Sequence, residues 1–188
     1  MRRGTLILVI GPSGAGKDSI IAGAAQLLRD DGRIAFARRV ITRPAEAGNE
    51  NHLPVSAPEF AAWRNSGRLM LHWQAHGLSY GLPGELGAAL AAGRSVVANV
   101  SRTVVAEARR RLAPVTTVAV AASPETLAAR LAGRGRESIA QIESRLRRAE
   151  AISSEPADFV IDNDGPLDVA IDRFVELLRA MLAQPLSS

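Results

Sequence analysis

Between residues 11 and 19 the chain reads Gly-Pro-Ser-Gly-Ala-Gly-Lys-Asp-Ser, a spacing of small residues around one ammonium that can wrap an anion. Without side chains at Gly11, Gly14 and Gly16, successive backbone N–H groups can turn inward around a phosphate, and a helix starting near Lys17 adds the positive end of its dipole. Lys17 would then bridge the β- and γ-phosphates of a nucleotide and neutralise charge as it moves. Its identity is informative, because of the 23 basic residues 22 are Arg and Lys17 is the single Lys. A guanidinium is a planar fork that needs room, whereas an ammonium is a compact point charge that fits a tight loop. The fixed glycine and lysine positions are those of the Walker A pattern, so ATP is the expected ligand of Gly11, Pro12, Ser13, Gly14, Ala15, Gly16, Lys17, Asp18 and Ser19. One position departs: Asp18 stands where the strict pattern has Ser or Thr, and the hydroxyl follows at Ser19. A carboxylate beside a triphosphate is repelled unless a cation lies between, which makes Asp18 and Ser19 the candidate Mg²⁺ ligands. Complementing the helix N-terminus is the alternative role of Asp18.

Such a loop needs a strand before it and a helix after it. Thr5 to Ile10 is a short β-rich apolar run, and Ile20, Ile21, Ala24, Leu27 and Leu28 then recur at helical spacing. After the turn signal Asp31-Gly32, Ile34 to Thr42 reads as a second strand closed by Arg43-Pro44, followed by a polar loop from Ala45 to Pro54. Ser56-Ala57-Pro58-Glu59 is a capping-box pattern that opens a helix through Phe60 and Trp63 to about Gly67. Leu69 to Gln74 predicts a strand, and Pro83 to Ala92 a helix. Ser95 to Val100 is a continuous apolar run, typical of a strand buried on both faces. Arg102 to Leu112 predicts a helix, Val115 to Ala121 a strand, and Ser123-Pro124-Glu125 the start of a helix that ends near Gly133. A basic connection, Gly133 to Arg136, leads to a helix from Glu137 to Ser153, a strand from Phe159 to Ile161 and a last helix from Asp168 to Ala183. Strands alternating with helices predict an α/β fold with a doubly wound parallel sheet, in a single domain over residues 1–183 with a frayed tail at 184–188.

Composition removes several function classes. The absence of Cys excludes disulfides and thiolate zinc sites, and His52, His72 and His76 lack helical metal-site spacing. The net charge of +4 arises from basic residues scattered among acidic ones, and aromatics make up only 4% of the chain. Neither an electrostatic track nor a stacking platform for nucleic acid is expected, and the arginine clusters suit a small anionic substrate better. The first apolar run is too short for a signal peptide core, so no membrane association and a cytoplasmic location are expected. Arg109 to Arg111 reads as solvated helix surface, and Trp63 and Trp73 read as core.

Beyond the loop, the chain resembles the guanylate kinase-like group of P-loop kinases over almost its whole length. Gly11-Pro12-Ser13-Gly14 is how those kinases begin; Ile41-Thr42-Arg43-Pro44 with Gly48 and Glu50 is similar to their acceptor-binding segment. Ser79-Tyr80-Gly81 resembles their tyrosine-glycine motif, Gly133-Arg134-Gly135 with Arg145-Leu146 their lid, and Asp162-Asn163-Asp164 their adenine-side loop. The resemblance implies a nucleoside monophosphate kinase-like fold with an acceptor-binding insertion at about 38–82 and a lid at about 130–148. It implies that Arg39, Arg43 and Tyr80 hold the acceptor phosphate, with Glu50 among the substrate-binding residues, and that Arg130, Arg134, Arg145 and Arg148 close on the ATP phosphates and the transferring group. Lys17, Arg134 and Arg145 would be the catalytic cations, and Asn163 a nucleotide contact.

The departures concern the acceptor. Guanine is read in that group by carboxylates that accept from the ring N–H and amino group, and the corresponding positions here are His72 and Asn99, with Ser101 and Arg102 beside them. His72, Asn99, Ser101 and Arg102 suit sugar hydroxyls and a further phosphate better than a purine edge. Together with Gly16-Lys17-Asp18-Ser19, His72-Trp73 and Tyr80-Gly81 they resemble the branch of the group that phosphorylates a phosphorylated sugar on its phosphate. A nucleoside monophosphate kinase is the second reading. A non-catalytic module that docks phosphorylated proteins is the third, opposed by Lys17 and the lid arginines, for which it has no use.

Overall fold

The structure is a computed structural model that describes residues 3–45, 50–132 and 156–183. By contacts the chain divides into two units, Met1–Leu8 with Asp30–Thr116 and Val9–Arg29 with Thr117–Ser188. A five-stranded sheet has the order β2-β7-β1-β8-β9 and a four-stranded sheet the order β4-β3-β6-β5, from strands β1 (Leu6–Ile10), β2 (Ile34–Phe36), β3 (Val40–Ile41), β4 (Leu53–Pro54), β5 (Leu69–Ala75), β6 (Leu78–Pro83), β7 (Ser95–Asn99), β8 (Val115–Ala121) and β9 (Phe159–Asp162).

In the unit that carries the glycine loop, β8 and β9 pair in parallel, with Val118 opposite Phe159 and Ala121 opposite Asp162. The loop leads into α1 (Lys17–Leu27), which packs on α6 (Leu167–Ala183). The apolar positions of α6 are spaced to one face, so Ala170, Phe174, Val175 and Leu178 are buried while the charged residues stay outside. Gly23 lets the two helices meet closely, since a Cβ there would lie 2.4 Å from Ile171 Cδ1. Helix α5 (Pro124–Ala132) buries Leu127 and Leu131.

In the other unit, β2 pairs in parallel with β7, whose five residues are all buried. The second sheet pairs β3 against β6 and β6 against β5 in antiparallel fashion, with β4 added in parallel to β3. Helix α2 (Ala57–Asn65) starts at the expected capping box: Ser56 Oγ accepts from Glu59 N–H, and the Glu59 carboxylate accepts from Ser56 N–H at 2.7 Å. The Ser56 N–H first, then the Ser56 hydroxyl, which also donates to that carboxylate at 2.7 Å, hold the Glu59 carboxyl below its ordinary value of 4.5. Val40, Phe60 and Leu69 form a small core under this helix, with Leu53, Val55 and Trp63 packed against it. Helices α3 (Leu86–Ala91) and α4 (Val105–Arg111) complete the unit, α4 preceded by a 3-10 turn at Arg102–Val104.

Three local expectations differ from the structure. The single strand predicted over Ile34 to Thr42 is two strands in two sheets, because Arg38 and Arg39 have no place inside a sheet covered on both faces. The chain leaves the first sheet at Ala37 and enters the second at Val40. The predicted helix from Pro83 begins only at Leu86, since Pro83 closes β6. That strand is hard to read in sequence because Ser79 and Gly81 break its apolar pattern. The polar loop to Pro54 ends in the two-residue β4.

Candidate active site: a phosphate loop and an arginine pair

The glycine loop is held from below. Gly11 has φ 145°, and a Cβ on it would lie 2.4 Å from the Val120 carbonyl oxygen, so the chain can leave β1 here only without a side chain. Gly16 caps α1 in the left-handed region at φ 89°, ψ 15°. Lys17 Nζ donates to the carbonyl oxygens of Gly11 and Pro12, 2.8 Å each, and so lies across its own loop. Asp18 and Ser19 are exposed in the first turn of α1.

Asn163, expected among the nucleotide contacts, is 1% exposed beneath the loop. Its Nδ2 donates to Ala15 O at 2.7 Å, its backbone N–H to Ala121 O at 2.9 Å, and its carbonyl oxygen accepts from Arg130 Nη2 at 2.8 Å. Thus Asn163 ties the loop to the ends of β8 and β9. Arg130 Nη1 and Asn163 Oδ1 are buried and without a partner among the described residues. Leaving the Arg130 donor unpaired costs about 1–3 kcal/mol, which a bound anion would relieve, whereas Asn163 Oδ1 is an acceptor that only a donor can satisfy. A triphosphate therefore fits this constellation. Mg²⁺ fits as well: one carboxylate and one hydroxyl suit a hard cation that takes most of its oxygen ligands from phosphate and water. Among the described residues no group of three or more His, Cys, Asp or Glu offers a fuller set of ligands.

The neighbouring Asp164 carboxylate accepts from Ser123 N–H at 2.7 Å. That bond first, then Thr126 and Ser123 side chains and the charge of Arg130, holds its carboxyl below the ordinary 3.8. A depressed carboxyl pKa contributes stability that is complete above the unfolded value and disappears as pH falls through the folded one. Asp164→Asn is accordingly expected to lower the urea midpoint at pH 7, by a small amount for an exposed group. The gap should close as pH is taken down through the range below 3.8 where the wild-type carboxyl takes its proton; a gap that persists there refutes the assignment.

In the other unit the acceptor-side residues gather on one face of the second sheet. Residues directly opposite in an antiparallel pair share a face, and Tyr80 is opposite both Ile41 and Trp73. Tyr80 and Trp73 stack with ring centroids 5.6 Å apart, and the Arg39 guanidinium lies 5.4 Å from the Tyr80 ring centre. Arg39 Nε donates to Glu50 Oε1 at 2.5 Å, and Arg43 Nη2 to Glu50 Oε2 at 3.2 Å, so one carboxylate bridges two guanidinium forks. Arg43 Nε is buried without a partner among the described residues. An open cleft of ≈ 570 Å³ runs along Thr42, Arg43, Val55, Ser56 and Glu59.

His72 is separated from this cluster. It is opposite Gly81, one residue out of phase with Trp73, so pleating turns it to the other face, where it is exposed. His76 sits at φ 53° in the tight turn between β5 and β6, also exposed. Asn99 is 8% exposed at the end of β7, and the Ser101 hydroxyl caps the 3-10 turn by accepting from Thr103 N–H at 3.3 Å. The strand β5 lies against that turn, which brings Arg102 to the His72 strand. Arg134, Arg145 and Arg148 lie outside the described residues, as do most of the lid and the tail.

His52, which sequence reasoning considered only as a metal ligand, is the residue missed. It is 3% exposed and hydrogen-bonds within the Arg43–Glu50 segment. Its one signal in sequence is a histidine two residues past Glu50, which does not specify partners.

Curated relatives match nearly the whole chain. A ribose 1,5-bisphosphate phosphokinase of Thiobacillus denitrificans is 45% identical over 95% of this chain and 94% of its own length. One of Acidiphilium cryptum is 49% identical over 94% of this chain and 93% of its own. A bifunctional ribose 1,5-bisphosphokinase-thymidine phosphorylase of Cupriavidus necator is 48% identical over 94% of this chain, but the chain spans only 29% of that longer protein. Among solved structures, a guanylate kinase from Anaplasma phagocytophilum superposes with a TM-score of 0.71 at 20% identity, over 98% of this chain and 89% of that one, and so shares the fold. The family model for guanylate kinase matches residues 3–181, through both sheets and nearly to the end of α6, and the chain belongs to the guanylate kinase family.

Proposed function

We propose that this protein transfers the γ-phosphoryl group of ATP to the 1-phosphate of ribose 1,5-bisphosphate, giving 5-phosphoribosyl 1-diphosphate and ADP. The observation that carries the reading is the bridged arginine pair. Arg39 and Arg43 stand with Tyr80 on one sheet face, and the carboxylate among them, Glu50, is taken up by both guanidiniums instead of being offered to a purine. Such a site selects phosphate, and the curated relatives named above supply the identity of the acceptor.

In the reaction an oxygen of the 1-phosphate attacks the γ-phosphorus, the bond from that phosphorus to the β–γ bridging oxygen breaks, and its electron pair stays on ADP. The nucleophile is already an oxyanion, so no general base has to remove a proton. Lys17 exchanges its two loop carbonyls for phosphate oxygens, and the Arg130 fork, whose Nη1 has no partner among the described residues, adds positive charge beside Gly16. Arg134, Arg145 and Arg148 are proposed to close over the transferring group and exclude water. Asn99, Ser101, Arg102 and His72 are proposed to face the sugar. Mg²⁺, when bound by Asp18 and Ser19, neutralises charge on the phosphate oxygens. No described helix is long and apolar enough to cross a membrane, and a reaction between ATP and a diffusible phosphosugar suits the cytoplasm.

The test is ADP release with ATP and Mg²⁺ on ribose 1,5-bisphosphate, GMP, AMP and gluconate in parallel. Turnover with the first and little with the others is expected. The fold shared with guanylate kinase makes GMP the rival acceptor, and a clear preference for GMP would remove the assignment.

A further inference from the structure

One buried histidine ties together the backbone on which the arginine pair and its carboxylate stand. His52 Nδ1 lies 3.0 Å from the carbonyl oxygen of Glu50, and Nε2 lies 3.0 Å from the carbonyl oxygen of Arg43. Either tautomer therefore donates to one of the two, Nδ1–H tying Glu50 and Nε2–H tying Arg43. Arg43 Nη2 is also 3.4 Å from Nδ1 while it donates to the Glu50 carboxylate. The histidine's own backbone is anchored, since its carbonyl oxygen accepts from Arg38 Nη2 at 2.9 Å and the next residue, Leu53, donates its N–H to Arg39 O at 2.7 Å. One imidazole thus spans the start and the end of the segment from 43 to 50.

We infer that His52 is a positioning residue for the acceptor phosphate, acting through Arg43 and Glu50 without touching the acceptor. The inference rests on the reading above that Arg39 and Arg43 receive that phosphate. A buried histidine satisfied by a single carbonyl would be ordinary core. This one faces two carbonyls, both on residues whose side chains meet each other, and the fork it steadies keeps a buried Nε with no partner among the described residues. Glu50 can bridge Arg39 and Arg43 only while its backbone is held at that distance from Arg43. Without the imidazole the segment loses its cross-tie, and two long guanidinium side chains regain rotamer freedom that the acceptor must then remove on binding.

The test compares kcat and both KM values for wild type, His52→Ala, His52→Gln, Arg43→Ala and the His52→Ala/Arg43→Ala double variant. His52→Ala is expected to raise the acceptor KM about tenfold while the ATP KM moves by less than about twofold, the split of a lost positioning contact on one substrate. His52→Gln, which keeps one donor, should fall between wild type and Ala. In the double variant the acceptor KM should rise by clearly less than the product of the two single effects, because His52 acts through Arg43 and Glu50 and not on the acceptor itself. Additive effects, or ATP and acceptor KM rising together, overturn the inference. If His52→Ala does not fold, His52→Gln decides: a raised acceptor KM supports the inference and an unchanged one overturns it. If wild type prefers GMP, the acceptor assignment fails, while the same ratios measured with GMP still decide the role of His52. If wild type turns over nothing, calorimetric binding of inorganic phosphate to Lys17→Ala protein with and without His52→Gln decides. Weaker binding in the double variant supports the inference and equal binding overturns it.

Discussion

Lys17→Ala is expected to lower turnover by about 10³-fold or more, corresponding to about 4 kcal/mol of transition-state stabilisation. The charge that builds on the β–γ bridging oxygen as the bond breaks needs a cation that can follow it, and Lys17 is the chain's one compact cation. In the structure its Nζ is held by two carbonyl oxygens of its own loop at 2.8 Å. Those are neutral acceptors that a phosphate outcompetes, so the ammonium is stored where it will be used. Stability should change little, because each such hydrogen bond contributes only about 0.5–1.5 kcal/mol net. Lys17→Arg should fail almost as completely, since a planar fork does not fit where a point charge lies across a tight loop. A coupled ADP assay beside a thermal melt separates the two quantities. Turnover above about a tenth of wild type in either variant would contradict the role assigned to Lys17.

What could be read from the sequence follows the range of the interactions involved. The glycine loop is legible because its geometry is local: a strand, three glycines at fixed spacing, one lysine and a helix are contiguous. The capping box at Ser56 and Glu59 is legible for the same reason, and both of its bonds are present. Tertiary partners are not. Ile34 to Thr42 reads as one strand because β propensity does not say that Arg38 and Arg39 must leave the sheet. Asn163 reads as a nucleotide contact by resemblance, and only the fold brings its amide under Ala15, a residue 148 positions earlier. His72 shows the same limit in another form. Its neighbour Trp73 shares a face with Tyr80 and His72 does not, and that phase is set by pairing with β6, a strand whose own pattern is broken by Ser79 and Gly81. His52 carries the point furthest, since both ring nitrogens lie 3.0 Å from backbone oxygens, which leave no trace in the identity of the residues that own them.

Gly16→Ala is expected to damage the protein at two levels at once. With φ at 89° the position lies in the left-handed region, where a Cβ costs about 1–2 kcal/mol. The added methyl would also lie 2.4 Å from Asn163 Nδ2. Asn163 has little freedom to retreat, because its amide is bound to Ala15 O, its N–H to Ala121 O, and its own carbonyl oxygen to Arg130. The loop must therefore shift instead, and with it the N–H groups and the lysine that are to meet the phosphates. Strain and a broken buried hydrogen bond together should cost about 2–4 kcal/mol of stability, and the ATP KM should rise more than about tenfold. The acceptor side should keep its own affinity in any variant that stays folded. Removing the obstacle separates the two causes: Gly16→Ala/Asn163→Ala should recover part of the stability lost to the clash, while ATP affinity stays poor because Ala15 has lost its anchor. If Gly16→Ala melts with wild type and binds ATP as tightly, the loop has room that this arrangement denies it, and Asn163 cannot be the residue that fixes its shape.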